Sequence, residues 1–481
     1  MKKILSIILV LGIMSSCTKD FTELNTDLKN PTEVPGEPLF THAVRNLVDQ
    51  MQSSSVNRNV FRLYSQYWAQ TTYPDESQYN MVTRNIPDNM WSTYYKDVLK
   101  DLDESAIIIE ATEYPPEEPA AVKTNKLAAI ELMTIYTYAV LVDTYGDVPY
   151  TDALDSENVL PTYDPAKDVY YDLISRLDAV IGQFDDSASG FSANADLVYY
   201  GDTEAWIKFA NSLKLRLAMR IADYDDTKAS AMVAGVDGKV FESNLDNFSM
   251  EYFGESPNTN PLNVSLVQSG RYDFVGSNTL IDLMNTNNDP RRALWFSEEE
   301  GEFVGGIYGS ANSYGGNSNM GNANAPGALS NPSLRGVLLS YSEVSFLLAE
   351  AAERGYTVTG SAEDNYMEGI KASINEWGGS EADFEAYYAQ TEVAYASATG
   401  DYKQKIGIQQ WIAQFNQGFD GWCTWRRLDF TGFNPIETGE PTPTRFIYPT
   451  NEHSLNGSNW EAAAANYEDD SKTAKVFWDV N

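Results

Sequence analysis

Residues 341–378 read YSEVSFLLAEAAERGYTVTGSAEDNYMEGIKASINEWG, and this stretch decides the class of fold. Val344, Leu347, Leu348 and Ala351 recur at helical spacing, and Tyr366, Ile370, Ile374 and Trp377 repeat the habit one segment later. The turn between the two runs contains glycine, so the pair is expected to fold back as an αα-hairpin. Alanines on both helices leave room for close packing. Hairpins of this kind stack in tetratricopeptide repeats of about 34 residues, although no clean repeated signature runs through this chain.

The same period appears on either side. In NKLAAIELMTIYTYAVLVDTYG (125–146), Leu127, Ile130, Tyr138, Leu141 and Tyr145 mark a helix closed by Gly146. Asp164-Pro165 opens another through Tyr171, Ile174, Leu177 and Ile181. TEAWIKFANSLKLRLAMRIADY (203–224) sets Trp206, Phe209, Leu213 and Leu217 on one face, with Thr203 as the expected cap. A helix from Leu39 to about Met51 is expected to be capped by Thr41, and KQKIGIQQWIAQFNQG to end at Gly418. The fold class is therefore mostly α, an α-α superhelix of tetratricopeptide-like hairpins with a loop-rich face. The main interruption is 305–327, GGIYGSANSYGGNSNMGNANAPG, whose Gly and Asn content suits no regular core element. A loop of that length in a folded domain is either functional or disordered.

Composition narrows the function. The chain of 481 residues is 43% hydrophobic and 21% charged, a globular balance. Its net charge of −36 would repel a phosphate backbone, so nucleic acid is excluded as a partner. His42 and His453 are the only histidines, which excludes a Cys/His zinc site and makes a histidine-based hydrolase triad hard to build. Calcium on oxygen ligands stays open, with no cofactor expected. Aromatic residues are abundant, with 30 Tyr and 10 Trp. Most should fill the core; those in Asn- and Gly-rich loops would suit sugar rings, whose apolar faces stack on flat aromatics.

The N-terminus has its own logic. Lys2 and Lys3 precede an apolar run from Ile4 to Met14 and the small pair Ser15-Ser16, the layout of a secretory signal peptide (1–16). The run is shorter than the roughly 20 residues a span requires, and no other segment reads as long and apolar enough. Cys17, one of only two cysteines, follows where cleavage would fall, as in a bacterial lipoprotein box. Acylated there, it would anchor the chain by lipid through a polar tether (17–38). Cys423 would then have no disulfide partner.

Several stretches together resemble the SusD-like (RagB/SusD) family of nutrient-binding outer-membrane lipoproteins. They are DFTELNTD from Asp20, YSQYWAQTTYPDESQYN from Tyr64, LVDTYGDVPY from Leu141, WIKFANSLKLRLAMRI from Trp206, NDPRR from Asn288, SFLLAEAAERG from Ser345, IQQWIAQFNQGFDGWCTWRRLDF from Ile408 and RFIYPTNE from Arg445. They fall in family order over almost the whole mature chain. The resemblance implies one helical domain (39–481) at the outer membrane, facing outwards. It would act there as a hinged lid over a SusC-type TonB-dependent transporter, capturing oligosaccharides or, in some members, peptides. Lys19-Asp20 after the cysteine resembles the signal that sends such lipoproteins to the cell surface.

Motifs shared by members with different ligands should maintain the scaffold. Trp422, Trp425, Arg426 and Arg427 of WCTWRRLDF, Asp289 and Arg291 of NDPRR, and Asp143 and Asp147 are read as structural, with the arginines locking buried carboxylates. Ligand contacts are expected in two variable regions. One is Tyr73, Asp75 and Tyr79 (with Ser77) in TTYPDESQYN, followed by Trp91 and Tyr94; the other is Trp295, Tyr308, Asn312, Tyr314 and Asn317 in and before the Gly/Asn-rich loop. A non-catalytic binding role is the reading adopted. A glycoside hydrolase would need two carboxylates about 5 to 10 Å apart, and no motif singles out such a pair among 69 acidic residues. A purely protein-binding helical adaptor would leave the aromatic loops unexplained.

Overall fold

The computed structural model describes residues 34–116, 118–320 and 329–480. The signal peptide, Cys17 and the end of the Gly/Asn-rich loop (321–327) lie outside the described residues. Helices dominate. The ones that frame the molecule are α1 (Gly36–Gln52), α2 (Lys100–Ala111), α3 (Ala120–Tyr145), α4 (Ala166–Ile181), α5 (Thr203–Arg220), α6 (Tyr341–Glu353), α7 (Ala362–Glu376), α8 (Tyr402–Ala413) and α9 (Gly418–Leu428). Four short strands form two antiparallel ladders: β1 (Trp68–Gln70) with β3 (Phe274–Gly276), and β2 (Phe248–Met250) with β4 (Gly336–Leu339).

The hairpin expected at 341–378 is α6 and α7. Ser340 caps α6 by accepting from the Glu343 N–H at 3.2 Å, and Ser361 with Asp364 forms a capping box at the start of α7. The helices approach closely because Gly369 carries no side chain; a Cβ there would come within 2.8 Å of the Phe346 ring. Phe346, Tyr366, Ile370 and Ile374 are buried at this contact in a small satellite core, apart from the main one. α1 packs on α2, α3 on α4, and α5 on α6 and α4, so antiparallel neighbours stack along the chain.

Several boundaries differ from the sequence reading. α1 begins at Gly36, and Thr41 lies inside it, donating to the carbonyl oxygens of Glu37 and Ala195 at 3.0 and 2.8 Å. The helical body thus starts before residue 39. α5 is capped by Asp202 in place of Thr203, through its carboxylate and the Ala205 N–H. On α4 the buried stripe is Val169, Tyr170, Leu173, Leu177 and Val180, so Tyr171 and Ile181 sit at its margins. Gly418 ends no helix but opens α9, where a Cβ would strike the Arg62 backbone at 2.5 Å.

The expectation that no other segment is long and apolar enough to cross a membrane also needs correction. α3 passes that test, with 26 residues and a mean hydropathy of 1.4 over its most apolar window. Most of that window is buried inside the protein, because α3 is the central core helix and is covered on nearly every side. It ends at Gly146, whose φ of +84° and contact with Tyr467 suit only glycine.

Most of the motif charges are buried and ion-paired, whereas Asp147 is held by hydrogen bonds from the Ala166 N–H, the Asn466 amide and the Tyr467 hydroxyl at 2.7, 2.9 and 2.8 Å. Asp289 and Arg291 form a bidentate pair at 2.6 and 2.9 Å, both fully buried. Arg427 is ion-paired with Glu350, and Arg220 with Asp143 at 3.1 Å. Arg426 departs from the expected pattern: its guanidinium lies 3.5 Å above the Trp422 ring and donates to the carbonyl oxygens of Asp143 and Thr444. Arg216 grips Glu343 at 2.6 and 2.7 Å and approaches Asp420 at 3.4 Å. Burial, reinforced by Glu343, pushes the Asp420 carboxyl up to about 7 against the pull of Arg216 and Arg220. Cys423 is buried beside Arg426.

Candidate ligand-binding site

The β1–β3 ladder is the hub of the loop face. Trp68, Ala69 and Gln70 pair with Gly276, Val275 and Phe274, which brings the turn after β1 against the segment before β3. The pairing continues beyond the strands: Thr71 donates its N–H to the Asp273 carbonyl at 2.9 Å and its hydroxyl to the Tyr272 carbonyl at 2.5 Å. The turn at 71–84 is fastened from within. Gln70 donates to buried Glu76 at 2.6 Å and accepts from the Ser77 N–H and hydroxyl, while Arg84 closes on Glu76 as an ion pair. Ser77 is therefore internal and offers nothing to a ligand.

With the turn fixed, Tyr73 is driven outwards. Its φ is +52° and its side chain is 67% exposed. A non-glycine residue held in that conformation costs about 1–3 kcal/mol, a strain that persists where the surroundings over-determine it. Tyr73 lines a recess of about 240 Å³ together with Arg271, Asp273, Arg84, Ser269 and Asn57. Arg271 and Asp273 form a solvent-facing fork at 2.6 and 3.1 Å, and the hydrogen bonds that Arg271 donates to Asp273 hold the guanidinium above its ordinary range. Tyr272 stands between them in sequence, 61% exposed, with its ring 4.6 Å from that of half-buried Tyr314. An aromatic shelf thus lies beside a recess rich in fixed donors and acceptors, the combination that suits a polyhydroxylated ring.

The structure separates the expected contact residues. Tyr73 and Tyr314 come to this face, and Asp75 is half-buried on the same turn. Tyr79 closes the turn with φ +67°, is buried, and bonds the Thr442 hydroxyl at 3.0 Å. Asn312 and Asn317 are braces. The Asn312 carboxamide takes the Ile307 N–H and donates to the carbonyls of Gln70, Ile307 and Ser310, while Asn317 donates to the Gly305 carbonyl. Tyr308 is buried against Tyr79, and burial pushes its phenol well up.

Trp295 lies elsewhere. It is fully buried, stacked on Phe415 at 4.3 Å and 14°, so it presents no face to a ligand. Trp91 belongs to another cluster, with Tyr95 at 4.8 Å and Tyr145 at 5.0 Å, and Tyr94 is buried. Arg271, Tyr272 and Asp273 were missed by sequence reasoning; an RYD run just after a Ser/Gly turn was the available signal. Among the described residues no group of three or more His, Cys, Asp or Glu side chains is placed to hold a metal ion.

Comparison with known proteins fits this architecture. A family model, SusD-like and described as starch-binding and associating with the outer membrane, matches residues 28–449. The chain belongs to the SusD-like family. A chitin-binding protein of known structure aligns with a TM-score of 0.79 and 28% identity, over 93% of this chain and 100% of that one. A SusD homologue from Bacteroides uniformis gives 0.77 and 24% over 92% and 99%. A chitin-binding SusD homologue from Flavobacterium johnsoniae gives 0.74 and 23% over 93% and 98%. A comparison with curated protein sequences found no match.

Proposed function

We propose that this protein is a non-catalytic lipoprotein of the outer membrane that captures oligosaccharides and delivers them to a SusC-type TonB-dependent transporter. The observation that carries the reading is exposed Tyr73 and Tyr272, with half-buried Tyr314, beside the Arg271–Asp273 fork, an aromatic shelf with adjoining hydrogen-bonding groups. Membership of a family described as starch-binding, and 28% identity to a chitin-binding protein, favour a glycan over a peptide. Cys17 would hold the protein at the membrane by its acyl chains, beside the transporter, where tethering raises the effective concentration of a weakly held ligand. A capture role needs no bond-breaking chemistry. In keeping with this, Asp273 at the recess is paired with Arg271, and Glu76 behind it with Arg84.

The test is isothermal titration of residues 18–481 with chitohexaose, maltohexaose and cellohexaose, alongside an oligopeptide array. At least one hexasaccharide is expected to bind without being cleaved, and Tyr272→Ala to weaken it about tenfold, as loss of an aromatic anchor does. Binding of peptides alone, or hydrolysis of the glycan, would overturn the reading.

A further inference from the structure

The turn that presents Tyr73 to one recess ends at Tyr79 on the wall of another. This second recess, about 430 Å³, opens between α9 and the loop 429–442, and Trp425, Phe433, Asn434 and Thr442 also line it. Trp425 packs at the edge of the main core and is the one large side chain of WCTWRRLDF left partly exposed. Trp422 and Arg426 are buried against each other and Arg427 is spent on Glu350, whereas Trp425 stays partly exposed, stacked on Phe433 at 5.0 Å and 11°.

The loop itself has no helix or strand, yet it is held at both ends of its aromatic segment. Gln66 donates to the Asn434 carbonyl at 2.9 Å and accepts its N–H at 2.8 Å. Gln404 does the same to Thr431, at 2.9 and 2.8 Å. Each side-chain amide pairs with backbone as a neighbouring strand would. Ordering chain in this way costs about 1–2 kcal/mol per residue, and what it secures is a preorganised aromatic wall, the feature that lowers the cost of binding. The turn that carries Tyr73 and the loop meet at one residue: Gln78 donates to the Gly309 carbonyl at 2.8 Å, and Ile436 of the loop packs on Gly309. At the rim, Glu440 is paired with Lys472 at 3.3 Å, which favours a neutral ligand over a charged one.

We propose that this recess is a second glycan subsite, which seats a neutral pyranose of the same oligosaccharide that the Tyr73 recess holds. It rests on the capture reading above. Trp425, backed by Phe433, would take the apolar face of the ring, with Asn434 and Thr442 beside its hydroxyls. Two subsites on one chain make affinity rise with ligand length, because the second contact is intramolecular.

The experiment uses residues 18–481 carrying 5-fluorotryptophan, with the Trp425 resonance assigned by its loss in Trp425→Phe. The probes are chitobiose, chitohexaose, maltohexaose and cellohexaose. The hexasaccharide that binds is expected to shift the Trp425 resonance. Trp425→Ala should then weaken that hexasaccharide about tenfold while leaving Tyr272-dependent binding of short chains in place. If Tyr272→Ala weakens hexasaccharide binding but the Trp425 resonance stays still and Trp425→Ala binds as wild type does, the second subsite is wrong and the capture reading stands. If no hexasaccharide binds the unsubstituted protein, the capture reading fails and this inference falls with it. Should Trp425→Ala not fold, the fluorine shift in the unsubstituted protein decides alone.

Discussion

The centre of the molecule and its loop face are built from the same residue types, put to opposite uses. In the interior, Arg216, Arg291 and Arg427 are buried with their carboxylate partners. On the loop face, Arg271 and Asp273 make the same fork in solvent, and Tyr272 keeps its ring exposed. A buried pair is held by the cost of separating it, since either charge left alone in the interior is severely destabilising. An exposed pair contributes little to stability and is available to a ligand. Burial, more than residue type, sets the role.

Six substitutions, set in four comparisons, would break or sharpen that contrast. The largest effect is expected from Arg291→Ala, which strands the Asp289 carboxylate in the core and should cost about 3–5 kcal/mol in denaturant unfolding. Arg271→Ala on the loop face is its control, with an unchanged unfolding midpoint. Next comes Asp420→Asn. The folded-state pKa of Asp420 is raised to about 7 by burial, so its stabilising contribution is present at acid pH and lost as pH rises towards 7. The variant should therefore unfold at higher temperature than wild type at pH 7, and the two Tm values should converge only near pH 4, where the unfolded carboxyl is itself protonated. Equal differences at both pH values would contradict the buried-carboxyl account.

On the loop face, Tyr314→Ala should cost about 1.4 kcal/mol of glycan affinity, a tenfold loss by titration, with stability nearly unchanged. The smallest effect is a comparison at one residue. Tyr73→Gly should be more stable than Tyr73→Ala by about 1 kcal/mol, because glycine takes a φ of +52° without strain. Both should bind glycan more weakly than wild type. If the alanine variant is the more stable, the strain at Tyr73 is not real.

Much of the fold was legible because helices advertise themselves through local period and caps. Residues 341–378 gave the hairpin, since Ser361 with Asp364 and the apolar stripes lie within a few residues of one another. Errors came where a long-range partner decided the outcome. Trp295 lies close in sequence to the Gly/Asn-rich loop, yet the short helix Arg291–Trp295 turns it inwards onto Phe415. Asn312 and Asn317 have the chemistry to grip hydroxyls but spend it on carbonyls of neighbouring loops. Tyr272 drew no notice because nothing in RYDF announces that β3 will pair with β1 and set it beside Tyr73.

The sequence by itself determined the helical class, the hairpin, the scaffold role of NDPRR and most of WCTWRRLDF, and the family, because these depend on local period and on motifs read in order. Only the tertiary structure decided which aromatic rings face outwards and which charged pairs stand in solvent. Exposure is a property of the whole packed chain, set by contacts between residues hundreds of positions apart, and no window of sequence contains it.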